Sequence, residues 1–347
     1  MSLISPVTQD ESRRFAVLGA GTWGITLADL LARNGHQVRC WDIDKSLLSR
    51  IGFDRTHPRL YNFAVSPEIQ FLPDLAEAID AVDACVVVAP SKAMRTLCED
   101  LAATGKADAV GGWVLCNKGI EEDSLLLMNQ VLADVLGEAA GRRAVILSGP
   151  SHAEEVCKGM PTTLVASSPD PELARRIQKA FFRPYLRIYT HDDVHGVELG
   201  GSIKNVIAIA AGVNDGMGYG DNARAALITR GLAEIVRLGL AMGARLETFM
   251  GLSGVGDLIV TAGSRHSRNY QFGRLIAEGV TPDDALERIG MVVEGYPTAR
   301  SAWGLARRHD VEMPITQAVY QICYEDLPPR QAVEDLMLRE PKPEHYR

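Results

Sequence analysis

The sequence predicts an α/β amino-terminal domain with a mainly parallel sheet, followed by an all-α carboxy-terminal domain. Three observations carry this. Short apolar runs alternate with helical spacing up to about residue 190, the pattern of repeated strand–helix–strand units. A Gly-x-Gly-x-x-Gly turn sits between the first strand and the first helix. Beyond residue 190 the strand signal fades into long segments rich in Ala, Leu, Ile and Gly. The length, 347 residues, is that of two ordinary domains, so the expected division is 1–190 and 191–347.

The elements follow in order. Phe15 to Leu18 is a buried strand ending in glycines, Thr22 to Asn34 a helix stopped by Gly35, and Gln37 to Trp41 a second strand. Ala84 to Ala89, Trp113 to Cys116, Ala144 to Leu147, Thr163 to Ser167 and Leu186 to Tyr189 are further strands, apolar enough to be covered on both faces. In the second half, Gly196 to Val213 and Ala223 to Met242 read as long helices. The latter looks apolar on nearly every side and is expected in a bundle centre or against a partner subunit. Shorter helices are expected near 268–278, 282–289, 297–308 and 314–324.

Composition narrows the classes. With 36 Lys and Arg against 44 Asp and Glu, the net charge is −8, which disfavours binding to nucleic acid or anionic membrane by bulk charge. A few local cations still suffice for a small anionic substrate. The six cysteines form no CxxC pair and read as reduced buried thiols, not as a zinc or disulfide framework. The stretch MSLISPVTQDESRR lacks the pattern of a secretory signal, and no apolar run approaches the roughly 18 residues of a membrane helix. The expected location is the cytoplasm.

The glycine turn carries the first chemistry. Gly19 permits the tight turn, Gly21 lets the backbone approach a pyrophosphate, and Gly24 allows close helix–strand packing. The helix start offers free N–H groups to phosphates. Asp42, after the second strand, stands where a carboxylate accepts from a ribose diol. A 2′-phosphate wants a neighbouring Arg or Lys, but the run is Trp41-Asp42-Ile43-Asp44-Lys45. NAD is therefore expected over NADP, with Lys45 as the one residue that could swing in.

Further candidates lie in the second half. Lys204, in an apolar helix behind Gly200 and Gly201, would be desolvated and its pKa lowered toward acid–base range. A lysine that merely packs its stem is the plainer alternative. Asp257, ending a glycine-rich turn, reads either as a helix cap or as a partner for Lys204. Ser267, Arg268 and Asn269 near a helix start suit a phosphate, though they read equally as a solvated loop. His191-Asp192-Asp193-Val194-His195 lacks the further ligands of a metal site, so no metal is expected.

Taken together these segments resemble the NAD(P)-dependent glycerol-3-phosphate dehydrogenases of the soluble, bacterial type. The resemblance runs from about Ala16 to Gln321. It rests on GAGTWG (19–24), NKG (117–119), SGPSHA (148–153), ELGGSIKNVIAIAAG (198–212), the stretch from Asn222 to Gly231, LSGVGDLIVT (252–261), SRN (267–269) and VVEGYPT (292–298). It implies a Rossmann-like domain plus a helical domain, and reversible oxidation of sn-glycerol 3-phosphate to dihydroxyacetone phosphate with NAD or NADP, supplying glycerophospholipid synthesis.

The resemblance also implies roles. Lys204 is the catalytic proton acceptor. Lys118 contacts substrate and cofactor, and Asp257 is the carboxylate beside the active lysine. Asn205 and Thr261 complete the catalytic group, with the Asn205 amide expected to stabilise developing charge. Gly149, Ser151, Ser267, Arg268 and Asn269 contact substrate. Thr22, Trp23, Ala153, Arg268, Val292 and Glu294 contact cofactor. A homodimer is implied as well. Ile43, Asn117 and Tyr270 depart from the usual pattern, and Ile43 weakens the case for NADP. The alternatives are a related two-domain hydroxy-acid dehydrogenase and a non-catalytic nucleotide-sensing module.

Overall fold

The computed structural model describes residues 12–344, so most of the amino-terminal stretch without a signal pattern and the last three residues lie outside it. The chain forms two compact units. The first runs through Asn117 and resumes at Met128–Val194; the second comprises Lys118–Leu127 and the chain from His195 onward.

In the first unit the strands are β1 (Arg14–Leu18), β2 (Gln37–Trp41), β3 (Thr56–His57), β4 (Leu60–Ala64), β5 (Ile69–Phe71), β6 (Ala84–Val87), β7 (Trp113–Leu115), β8 (Ala144–Ser148), β9 (Thr162–Ser167) and β10 (Leu186–His191). Eight of them make one sheet in the order β10-β9-β8-β7-β6-β1-β2-β5, and β3–β4 is a separate hairpin. All pairs in the large sheet are parallel except β8–β9. Central strands such as Ala84–Val87 and Trp113–Leu115 are buried along their whole length, as their uninterrupted apolar sequences require. Strand order reverses between β1 and β6, which makes the carboxyl ends of these two strands the expected ligand crevice.

The hairpin and β5 escape the sequence reading. Their residues are mixed in polarity, with Tyr61 82% exposed, so neither alternation nor a long apolar run marks them.

The second unit is helical. Its central helix, Val194–Gly216, is long and apolar enough by length and composition to cross a membrane, yet 94% of that window is buried within the protein. This corrects the sequence reading: Glu198, Lys204 and Asn205 interrupt the apolar run without lowering its average below that of a span. Around it pack Asp221–Ala241, Arg268–Ala277, Gly295–Arg308 and Pro314–Tyr324, with Ile203, Ile207, Ile235, Leu238 and Phe249 in a shared core.

The Asp221–Ala241 helix is not apolar all round in its packing. It buries Gly231, Glu234, Ile235, Leu238 and Gly239 and leaves much of its first half open, because the alanines there are tolerated at a surface. Glu234 is an unexpected buried carboxyl. It accepts from the Ile315 and Thr316 N–H groups at 2.6 and 3.0 Å and from the Thr316 hydroxyl at 2.9 Å, capping the Pro314–Tyr324 helix from outside. A last helix, Pro329–Met337, lies beyond the elements foreseen, hidden by its polar composition.

The segment 118–127 crosses into the second unit for a packing reason. Ile120 and Leu127 are buried in the helical core, and Ser202 and Ser301 donate to the Gly119 and Ile120 carbonyls at 3.2 and 3.1 Å. The single boundary expected at 190 is therefore replaced by three crossings, the last after Val194.

All six cysteines are free; five are buried and Cys157 is half-buried. Burial pushes the Cys323 thiol up to about 12.

Candidate active site and its family

Each unit carries one part of the predicted machinery. In the first, Gly19 holds φ +118° and would place a Cβ 3.1 Å from the Val88 carbonyl carbon, so the turn hugs the end of β6. A Cβ on Gly24 would stand 1.9 Å from the Gly19 oxygen, whereas one on Gly21 would meet nothing within 4 Å. The loop is tight on its protein side and open on the other, as a pyrophosphate cradle must be. The helix from Thr22 to Arg33 begins without a side-chain cap, leaving its first N–H groups available to an anion. Trp23 packs partly buried against the core.

Asp42 Oδ2 accepts from the Ala20 N–H and Oδ1 from the Asp44 N–H at 2.8 Å, which fixes the carboxylate beside the turn. These residues fit a dinucleotide.

The SGPSHA segment also lies in the first unit. Gly149 has φ +121° and backs onto Leu164, Ser151 donates to the Gly149 carbonyl at 3.0 Å, and Ala153 opens a short helix.

The second unit brings the ionisable residues together. Lys204 Nζ donates to Asp257 Oδ1 and, at 2.7 Å, to Thr261 Oγ1; Lys118 Nζ donates to Asp257 Oδ2 at 2.7 Å. Two cations thus share one carboxylate. The Lys204 and Asp257 side chains are 5% and 2% exposed and that of Lys118 20%, so Lys118 stands on the solvent side.

Burial pushes Lys204 down from 10.5 to about 7, against the pull of Asp257 and with the help of Lys118. For Asp257, burial alone would favour the neutral acid, but the two ammonium groups outweigh it and hold the carboxyl below its ordinary value. The Thr261 hydroxyl donates to the Asp257 carbonyl at 2.6 Å, which leaves its lone pairs for Lys204.

Asp257 is therefore the lysine partner and not a cap; its carboxylate leaves the helix start at Gly256 without a side-chain bond. Gly200 allows a close backbone approach, since a Cβ there would lie 2.7 Å from the Ser253 carbonyl oxygen. That contact sets the Asp257 turn against the Lys204 helix.

The Asn205 amide bridges two segments of this cluster. Its Nδ2 donates to the Lys118 carbonyl at 3.3 Å, and its Oδ1 accepts from Asn269 Nδ2 at 2.9 Å. Asn269 Oδ1 in turn accepts from the Gly295 N–H at 2.8 Å. Asn205 ties Lys118 to the Arg268–Ala277 helix, and its Nδ2 also reaches the Gly201 carbonyl at 3.5 Å.

Arg268 donates to the Val292 carbonyl at 2.8 Å, and Ser267 caps the helix by accepting from the Tyr270 N–H at 3.3 Å. Glu294 occupies the N-cap of the Gly295–Arg308 helix.

Sequence reasoning missed the supports. The Tyr270 hydroxyl and Arg224 both donate to Asp215 Oδ2, at 2.7 and 2.8 Å, joining three helices behind the Arg268 turn. A Cβ on Gly273 would fall 2.0 Å from the Ile209 carbonyl, so that helix crosses the central one backbone to backbone. The small residues were visible in the sequence, but what they face was not. Among the described residues no group of three His, Cys, Asp or Glu is placed to hold a metal ion.

Comparison with known proteins agrees with this arrangement. Residues 14–174 match the family model for the NAD-dependent glycerol-3-phosphate dehydrogenase N-terminus, and residues 193–334 the model for its C-terminus. The glycerol-3-phosphate dehydrogenase [NAD(P)+] of Carboxydothermus hydrogenoformans is 48% identical over 334 residues, covering 96% of this chain and 98% of its own. That of Geobacter sulfurreducens is 48% identical over 336 residues, covering 96% and 100%. Among solved structures, glycerol-3-phosphate dehydrogenase from Coxiella burnetii superposes with a TM-score of 0.88 at 35% identity, covering 95% of this chain and 100% of that one. The chain belongs to the NAD-dependent glycerol-3-phosphate dehydrogenase family.

Proposed function

We propose that this protein interconverts sn-glycerol 3-phosphate and dihydroxyacetone phosphate with NAD or NADP. The observation that carries the reading is the buried Lys118–Asp257–Lys204 set, an acid–base group poised near neutrality inside a fold that also has a dinucleotide turn.

A bound nicotinamide would supply or accept the hydride at substrate C2. Gly19, Gly21, Thr22, Trp23 and Gly24 hold the dinucleotide phosphates, and Asp42 accepts from a ribose. Lys204 gives the C2 oxygen its proton in reduction and removes it in oxidation. Asp257 sets the charge of Lys204, while Thr261 orients its ammonium as an acceptor. Lys118 brings a second cation to that oxygen, a stabilisation of roughly a few kcal/mol, and Asn205 positions Lys118 through its carbonyl.

Ser267, Arg268 and Asn269 hold the substrate phosphate, whose binding energy places C2 for reaction. By family resemblance Gly149 and Ser151 add substrate contacts, and Lys118, Ala153, Arg268, Val292 and Glu294 cofactor contacts. On the same resemblance the protein works in the cytoplasm as a homodimer, without metal, nucleic acid or membrane insertion, and feeds glycerophospholipid synthesis.

Initial rates with NADH and NADPH on dihydroxyacetone phosphate test this directly. Turnover lost in Lys204→Ala with NADH binding retained is the expected result. Turnover of a keto acid but not of dihydroxyacetone phosphate would overturn the substrate assignment. NADH binding without turnover in either form would favour a nucleotide sensor.

A further inference from the structure

The carboxyl end of β2 bears on which dinucleotide is taken. Asp42 is pinned from two sides by main-chain donors, Ala20 N–H on Oδ2 and Asp44 N–H on Oδ1. It therefore cannot turn aside. Each oxygen keeps a lone pair for a ribose hydroxyl, which has a proton to give. A 2′-phosphate has none to give as a dianion, and brings about −1.5 to −2 charges to a fixed anion.

The next side chains do not compensate. Ile43 is 77% exposed and has no polar side-chain atom. Asp44 adds a second carboxylate, spent on capping the Lys45–Asp54 helix through Leu47 N–H at 2.9 Å.

Lys45 is the one cation in the run from Trp41 to Leu48, and it is held elsewhere. Its ammonium lies 4.9 Å from the centre of the Trp41 ring and donates to the Pro73 carbonyl. A cation–π contact and a charge-assisted hydrogen bond together resist its release. Two nearby arginines are committed to carbonyls as well: Arg39 to Glu77 and Asp80 at 3.0 and 2.7 Å, Arg55 to Ser66 and Ile69 at 3.3 and 2.9 Å.

We propose that this site selects NAD over NADP, with Asp42 as the discriminating anion and Lys45 a cation withheld from the 2′ position by Trp41 and Pro73. The inference deepens the functional proposal above and rests on it. Relatives carry the name [NAD(P)+], which assigns no preference.

The test is direct binding: titration of the full-length protein with NADH and NADPH, and with ADP-ribose and its 2′-phosphate, followed by fluorescence or calorimetry. Like charges brought together without a counterion should weaken the phosphorylated ligand of each pair by on the order of 100-fold. Ile43→Arg, a change at an exposed position, should recover about tenfold or more of NADPH affinity with little effect on NADH. Lys45→Ala should leave the NADPH affinity where it is.

Two results would overturn the proposal: NADPH binding within about threefold of NADH, or a Lys45→Ala variant that loses about tenfold in NADPH affinity alone. The second would mean that Lys45 leaves Trp41 to meet the phosphate. Failure to bind either dinucleotide would instead remove the functional proposal on which this one stands.

Discussion

Asp257→Asn isolates the charge that governs Lys204 in the proposed proton chemistry. The substitution keeps the side-chain shape, and Lys204 keeps its acceptor Thr261 at 2.7 Å. What disappears is the anion that both lysines share. In the native protein burial brings Lys204 from 10.5 to about 7 while Asp257 resists the drop. At 1.36 kcal/mol per pH unit, that displacement is roughly 5 kcal/mol against the ammonium. Without Asp257, burial and the Lys118 charge act in the same direction. A neighbouring opposite charge is worth about one to three pH units, so Lys204 should titrate that much lower in the variant.

In the proposed reaction Lys204 must be protonated for reduction. The native kcat/KM for dihydroxyacetone phosphate, at saturating NADH, should therefore fall as pH rises through about 7. The Asp257→Asn limb should lie at lower pH, leaving the rate at pH 7 roughly 5- to 500-fold reduced from the protonated fraction alone. Oxidation needs the neutral amine, so its limb rises with pH and should start earlier in the variant. A limb that stays in place after the substitution, with NADH binding intact, would refute the claim that Asp257 sets the charge of Lys204.

Other outcomes can be checked independently. Glu234→Ala leaves two buried N–H groups and a hydroxyl without their acceptor, and should cost about 3 kcal/mol or more in urea unfolding; a loss below about 1 kcal/mol would show that the helix start finds other partners. Gly24→Ala would drive a Cβ into the Gly19 carbonyl, so NADH affinity, read by fluorescence titration, should fall by about tenfold or more. An unchanged affinity would mean that the turn is not the phosphate cradle. Because Arg268 is also assigned to the cofactor, the assay uses saturating NADH: Arg268→Ala should then reduce kcat/KM for dihydroxyacetone phosphate by about 100-fold or more while leaving the slow reduction of unphosphorylated dihydroxyacetone nearly untouched. Equal losses on both substrates would place Arg268 away from the phosphate.

How much of this could be read in advance depended on range. The buried strands were legible because a strand covered on both faces must be apolar throughout, and Gln37–Trp41 appears with the bounds its sequence suggested. The glycine turn was legible because Gly19 and Gly24 answer to neighbours a few residues away or at the end of an adjacent strand. Lys204 could be singled out as a desolvated amine from its apolar helix alone. Its pairing was one of two readings open for Asp257, which lies 53 positions away; what decides it is the contact of Gly200 with the Ser253 backbone. Glu234 was opaque for the same reason, its donors being 81 and 82 residues distant.

Lys118 shows the limit most clearly. In the sequence it follows a strand of the first unit and reads as part of the nucleotide domain. Ile120 and Leu127, however, are apolar side chains buried in the same core as Leu199, Ile203 and Leu258, and the segment they bracket follows them into the helical core. Hydrophobic burial of two residues, about 1.5–3 kcal/mol each, thereby carries a cation to Asp257. The Asn205 bond to the Lys118 carbonyl then fixes it there. The acid–base set is assembled by packing that has no chemistry of its own, which is why residue types alone could nominate its members but not their arrangement.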